Sequence, residues 1–251
     1  MDLNGFDWGW MDYPKFDSNG NEVFHHGTDC WGNDVGPIPM GKYHKDSITK
    51  EIFYEKFYER FSEVQEGDIV LDVGASVGPF TYSILSKNPS RVFCIEPSNS
   101  EFITLTKNFS DKNNITLINK GISSVNAVVE NSELFGGETH MQGITFKDLI
   151  SEHNINKIDF LKTDCEGGEY DIFNIENIIW LKQNLGTAVG EWHLSTPELK
   201  QKFRAFRDVY LRLFPNHEVY SVDNHNIKWD LWNEHFIEYY DEVIIHINNE
   251  T

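Results

Sequence analysis

Long apolar runs are absent from this chain. No stretch of about 18 apolar residues occurs, so no transmembrane helix is predicted. The opening MDLNGFDWGW has neither a basic start nor an apolar run, so no secretory signal is expected there. Cationic residues are scarce: 21 Lys and Arg stand against 40 Asp and Glu, a net charge of −19. Such a surface repels phosphate backbones, and no Lys/Arg run offers a local exception, so no nucleic-acid partner is expected. Cysteine is scarce as well. Cys30, Cys94 and Cys165 are odd in number and lack metal-ligand spacing. That excludes a disulfide framework and predicts reduced thiols in a cytoplasmic protein. The segment HHGTDCW gathers His25, His26, Asp29 and Cys30, but without the second ligand pair that zinc needs.

The dinucleotide fingerprint GxGxxG is missing too. In GDIVLDVGASVGPFT, from Gly67 to Thr81, Ser76 stands where the second glycine would be. What remains is a nearly all-aliphatic strand over 68–73, as in a parallel sheet covered on both faces. A turn bracketed by Gly74 and Gly78 follows, and then a helix start. A second apolar strand, RVFCI, ends in Glu96. That places a carboxylate at the tip of the neighbouring strand, where a ribose diol would sit. These features point to a nucleoside-containing cofactor. A carboxylate accepts two hydroxyl donors and repels a 2′-phosphate, which disfavours a phosphorylated dinucleotide.

The 251 residues suit one large α/β domain. Residues 1–46 hold no period for long and read as an aromatic, glycine-rich extension or lid, with a tight turn at SNGNE; 47–251 read as the main domain. Ile48, Ile52, Phe53, Phe57 and Phe61 recur at helical spacing and predict a helix over 47–63. Strands are predicted near 68–73, 91–96, 115–119, 158–163, 187–192, 217–222 and 241–247. Helices are predicted near 79–87, 98–109, 146–153, 168–183 and 196–213, the last opening on STPE with a capping-box spacing. Short extra strands are expected within 121–145. The alternation implies a mostly parallel sheet with ligands at the carboxyl ends of its strands.

Beyond the glycine turn and IEPSNSEF, the chain carries KGIS, TFKDLI, DFLKTDCEGGEYDIF and a late EWH. Over roughly 65–195 this set resembles the FkbM-type family of S-adenosylmethionine-dependent methyltransferases. The segment with Asp164, Glu166, Gly167 and Glu169 is its most specific part; Cys165 stands where an aliphatic residue is more usual. The resemblance implies a Rossmann-like class I methyltransferase fold, with seven mostly parallel strands, helices on both faces and an antiparallel last strand. It implies O-methylation of a hydroxyl on a small molecule or sugar. It also implies roles. Gly74, Ala75 and Gly78 would floor the methionine part of the cofactor, and Asp72 would help hold its amino group. Thr81 would bond near its carboxylate, Glu96 would chelate the ribose, and Pro97 and Ser98 would border the adenine.

Methyl transfer to an alcohol needs in-line approach and a less protonated oxygen. Asp164 and Glu166 follow the fourth main strand, and Glu191 and His193 close the fifth, so these ends should converge over one crevice. His193 is the best base by intrinsic pKa, although a surface histidine bonded to backbone fits the sequence equally. A divalent metal on Asp164, Glu191 and His193 is the less favoured route, and Glu166 and Glu169 also suit a helix cap. Trp8, Trp10, Trp31, Trp229 and Trp232 suit either stacking on an acceptor or packing. The alternatives to a methyltransferase are an NAD-type oxidoreductase, weakened by the missing GxGxxG and the lack of a hydride-transfer set, and a non-catalytic module that keeps the cofactor pocket.

Overall fold

The computed structural model describes residues 5–130, 140–222 and 224–249. Its strands are β1 (Phe24–Thr28), β2 (Asp34–Pro39), β3 (Ile69–Val73), β4 (Arg91–Ile95), β5 (Ile115–Ile118), β6 (Gly121–Ile122), β7 (Val128–Glu130), β8 (His140–Ile144), β9 (Ile158–Thr163), β10 (Leu185–His193), β11 (His217–Tyr220) and β12 (Glu242–Asn248). Its α-helices are α1 (Met40–Thr49), α2 (Pro79–Ile84), α3 (Asn99–Phe109), α4 (Phe146–Glu152), α5 (Glu169–Ile172), α6 (Ile178–Asn184), α7 (Pro197–Ala205) and α8 (Glu234–Tyr239).

Seven strands form the main sheet in the order β11-β12-β10-β9-β3-β4-β5. The pairs from β10 to β5 are parallel, and β12 runs antiparallel to both neighbours. Alternate residues feed two cores, one on each face. Leu71, Val73, Phe93 and Ile95 join α4 to α7 on one side. Val70, Val92 and Cys94 join α2, α3 and the N-terminal segment on the other. Burial on both faces is why these strands read as near-continuous aliphatic runs. The short strands expected between 121 and 145 are β6, β7 and β8, which form a small separate sheet; residues 131–139 of that stretch lie outside the described ones.

Three elements differ from expectation. The helix predicted over 47–63 begins at Met40 and ends with a π-helical turn at Lys50–Tyr54. Lys56, at φ +50°, reverses the chain, so the apolar period outruns the helix and drops Tyr58 into the core. The helix predicted over 168–183 is two. Phe173 leaves helical backbone, and the Asn174 side-chain oxygen takes the N–H of Glu176 and Asn177 to start α6. At STPE the cap is Thr196, whose hydroxyl accepts from Leu199 N–H, not Ser195.

The N-terminal segment packs onto the domain. Phe6, Trp8 and Met11 are buried, and the Asn108 side chain exchanges hydrogen bonds with the Asp7 backbone, 2.9 Å each way. Helix α1 runs across position 46 without a break. Trp31 and Trp232 are partly exposed and Trp229 largely so. Among the described residues no helix is long and apolar enough to cross a membrane, and all three cysteines are free.

Candidate functional site

The crevice lies at the carboxyl ends of β3, β4, β9 and β10. Gly74, at φ +75°, turns the chain off β3 so tightly that a Cβ would lie 1.7 Å from the Asp164 carbonyl oxygen. Only glycine lets the two strand ends approach so closely. Ser76 adopts φ +50° without being glycine, a strained backbone of the kind kept at functional loops. Its N–H donates to Glu96 Oε2 at 2.8 Å, and Ser98 N–H donates to Oε1 at 2.7 Å. The Glu96 carboxylate, 3% exposed, is thereby fixed with lone pairs to spare. It lines a cavity of 460 Å³ with Gly74, Ser76, Ser98, Asp164 and Glu166, walled on the outside by Trp10 and Lys15. A more apolar cavity of 270 Å³ adjoins it at Gly74 and Glu166 and is lined by Pro97, Ile122, Val125 and Met141. A diol-accepting carboxylate beside an apolar slot fits a ribose and its base, so the residues present fit an adenosyl cofactor.

Burial pushes the Glu96 carboxyl up to about 8, with Glu101 adding to the shift and the N–H groups of Ser98 and Ser76 opposing it. Ribose hydroxyls donate to the ionised form, so binding should pull that proton off. Affinity for S-adenosylhomocysteine should therefore fall below pH 8, approaching about tenfold per pH unit. Calorimetry between pH 6 and 8 should give this slope, and Glu96→Gln should flatten it. A wild-type affinity independent of pH would contradict the ribose role.

Gly78, Thr81 and Asp72 line none of these cavities. Gly78 is a packing glycine: at φ +92°, its Cβ would meet Phe109 Cε2 at 2.2 Å, so it seats the turn on α3. Thr81 is fully buried, and its hydroxyl donates to Asp72 Oδ2 at 2.7 Å. It positions Asp72 and makes no direct bond near a cofactor carboxylate. Asp72 is itself sealed behind the turn. Ala75 is buried too, but lines a small third cavity described below.

The residue missed by sequence reasoning is Lys162. It sits in β9 within the apolar-looking IDFLKT, 4% exposed. Its ammonium donates to the Gly74 carbonyl at 2.7 Å and stands 3.5 Å from Asp72 Oδ1. Burial alone would lower its pKa, but Asp72, Asp164 and Glu191 outweigh that and raise it, so it stays charged. Its pairing with β3 was invisible because Asp72 lies far away in sequence. Tyr58 was missed as well. Its hydroxyl lies 3.3 Å from Asp164 Oδ2 and 3.4 Å from Glu191 Oε1, bridging two strand ends. In the sequence it reads as one more residue of an apolar helix.

His193 ends β10, 5% exposed. Nδ1 meets Glu169 Oε1 at 3.2 Å; Nε2 faces Glu166 Oε2 at 3.5 Å and Asp164 Oδ1 at 3.9 Å. Burial alone would lower its pKa, but Glu169, Glu166 and Asp164 push it up to about 10. An imidazolium cannot accept a proton near neutrality, so this arrangement does not support the general base expected at His193. Glu169 is fully buried and accepts the N–H groups of Cys165 and Gly167, so it braces the loop and the imidazole. It binds backbone ahead of α5 and orients His193. Glu166, at φ +55°, turns its carboxylate towards His193.

The carboxylates crowd one another. Burial, then Asp164 and Glu51, raises the Glu191 carboxyl well above its usual range, and burial with Asp164 raises Glu51 to about 7. A cavity of 110 Å³ under Tyr58 is lined by Gly74, Ala75, Ser76, Lys162, Asp164 and Glu191. It meets a larger one of 440 Å³ at Glu51 and Glu191, whose walls include Asp29, Tyr43, Arg60 and Glu242. At HHGTDCW, His25 stacks on Tyr43 and its Nε2 lies 2.9 Å from the Thr28 carbonyl. Among the described residues the candidate metal-holding group is Asp164, Glu191 and His193.

The sheet order, the antiparallel β12 and the strand-end cradle around Glu96 define the class I S-adenosylmethionine-dependent methyltransferase fold. The sequence matches the methyltransferase FkbM domain over residues 72–221, more than half of the chain, and the chain belongs to that family. No curated protein matches. Solved structures similar to it include a methyltransferase FkbM from Methylobacillus flagellatus, at 14% identity and a TM-score of 0.49, covering 82% of this chain and 50% of that one. This chain thus spans half the length of that protein. Fibrillarin from Aeropyrum pernix, solved with natively bound S-adenosyl-L-methionine, is 16% identical with a TM-score of 0.44, covering 76% of this chain and 71% of that one. A precorrin 8w decarboxylase from Methanobacterium thermoautotrophicum is 16% identical with a TM-score of 0.42, covering 85% and 92%. The assignment rests on the family match and the topology, not on these likenesses.

Proposed function

We propose that this chain transfers a methyl group from S-adenosylmethionine to a hydroxyl of a small molecule or glycan. One observation carries the reading: Gly74, Ser76 and Asp164 line both the Glu96 cavity and the cavity beneath Tyr58. A cofactor held at Glu96 and an acceptor entering past Glu51 and Glu191 would meet at Asp164. The cofactor supplies an electrophilic methyl on a sulfonium. An acceptor hydroxyl held there would take that methyl in line, S-adenosylhomocysteine being the leaving group, and would lose its proton towards the Asp164–Glu191 carboxylates. Tyr58 and Lys162 hold those groups, and Trp10 and Lys15 cover the cofactor side.

The acceptor cavity is carboxylate-rich, with Asp29, Glu51, Glu191 and Glu242 on its walls. Such walls accept hydroxyl donors and repel phosphates, which suits a polyol or sugar and not a nucleic acid. The free thiols suit a cytoplasmic setting.

Methyl-labelled cofactor offered with pooled sugars and polyhydroxylated small molecules should give a labelled, alkali-stable ether. Label confined to amines or carboxyl groups, or no turnover with any hydroxyl acceptor, would overturn the hydroxyl reading.

A further inference from the structure

We infer that Asp164, Glu191 and His193 form a binding site for one divalent cation, Mn²⁺ or Mg²⁺. One ligand atom from each lies within 4.8 Å of the others, so a single ion can reach all three. They come from two adjacent strand ends, Asp164 just past β9 and the other two from the last three residues of β10. The parallel pairing of those strands sets the spacing.

The imidazole supplies the independent observation. Its side chain is 7% exposed, and only Nδ1 is hydrogen-bonded among the described residues, to the buried Glu169. Nε2 makes no hydrogen bond there and points into the gap between Asp164 and Glu166, where a bound cation would replace the proton that the carboxylates otherwise hold on the ring. A carboxylate on one ring nitrogen that aims the other is how ligating histidines are oriented. On the opposite side, the Tyr58 hydroxyl lies within reach of both Asp164 and Glu191 and so holds the two oxygen ligands together. Glu166 lies 3.5 Å from the same Nε2 and can enter as a fourth ligand or bond a metal-bound water.

The donor set decides the ion. Two or three carboxylate oxygens with one imidazole suit Mn²⁺ or Mg²⁺; Ca²⁺ takes six to eight oxygens, and structural zinc prefers thiolate and imidazole sets. Glu191 also lines the 440 Å³ cavity, so one side of the ion would face incoming ligand. With Asp164 and Glu191 holding the ion, an acceptor hydroxyl bound there would be acidified and would release its proton to solvent instead of to those carboxylates. The site itself does not depend on the methyl-transfer reading.

The test is a direct titration, with no turnover in it. Full-length protein, treated with EDTA and desalted, is titrated with Mn²⁺ and free ion is read by electron paramagnetic resonance. One Mn²⁺ per chain is expected, displaceable by excess Mg²⁺. Glu191→Gln and His193→Asn, checked for folding by circular dichroism, should each weaken binding at least about tenfold. No saturable binding to the wild type would overturn the site, even if neither variant folds. Stoichiometric binding that survives both substitutions in folded protein would overturn it as well. S-adenosylhomocysteine binding with no metal binding would sink this inference and leave the methyltransferase reading intact.

Discussion

Replacing Lys162 with methionine should destabilise the fold by about 3–5 kcal/mol, the usual cost of removing one partner of a buried ion pair. The substitution keeps most of the volume, so the loss is not a cavity effect. It strands Asp72, fully buried; among the described residues Oδ1 faces no other cation and Oδ2 bonds only to Thr81. It also removes the donor to the Gly74 carbonyl. Burial already raises the Asp72 carboxyl, and Lys162 is the leading group holding it down. Without Lys162 that carboxyl should rise further above its unfolded value. The folded variant then holds a proton that the unfolded chain releases, so its deficit should grow as pH rises and shrink as pH falls. Urea unfolding of Lys162→Met at two pH values checks this. Adding Asp72→Asn should restore part of the loss, because a neutral amide needs no counter-charge. A single variant as stable as the wild type would show that the pair does not hold β3 to β9.

The second large effect concerns the reaction. Asp164→Asn should lower kcat by about 10²–10⁴, the range for losing a group that handles a proton. The amide keeps the size of the side chain and can still accept from Tyr58, so the local packing should hold. Asp164 is also where the Glu96 cavity and the cavity beneath Tyr58 meet. Removing its charge strips the crevice of a proton acceptor and, if a cation is bound, of a ligand. Affinity for S-adenosylhomocysteine should change only a few-fold, because Glu96 and the apolar slot are untouched. The split between kcat and cofactor affinity is the informative readout. Loss of both together would mean that Asp164 mainly holds the cofactor, and full activity would remove it from the chemistry.

The turn around Glu96 was legible because its signals are local. An aliphatic strand, a glycine that must turn and a carboxylate one strand on are all written within 30 positions of sequence. The rest of the crevice, the apolar slot included, depends on neighbours that only the sheet order supplies. Lys162 looks like a flaw in an apolar strand until β3 brings Asp72 beside it. Ile122 and Met141 become a wall only because β6 and β8 pair at the mouth of the main sheet. His193 looked like a base because an isolated imidazole is one; three carboxylates from a different strand end make it a cation. Gly78 carries a packing demand that the sequence hides: Phe109 from α3 requires the missing side chain.

Isothermal titration of the full chain with S-adenosylhomocysteine, set beside the same titration with NAD, tests the cofactor assignment most directly. At about 100 μM protein, a concentration that registers micromolar to sub-millimolar binding, S-adenosylhomocysteine should bind with one site per chain. NAD should give no heat. Binding of NAD with no heat from S-adenosylhomocysteine would contradict the account at its root.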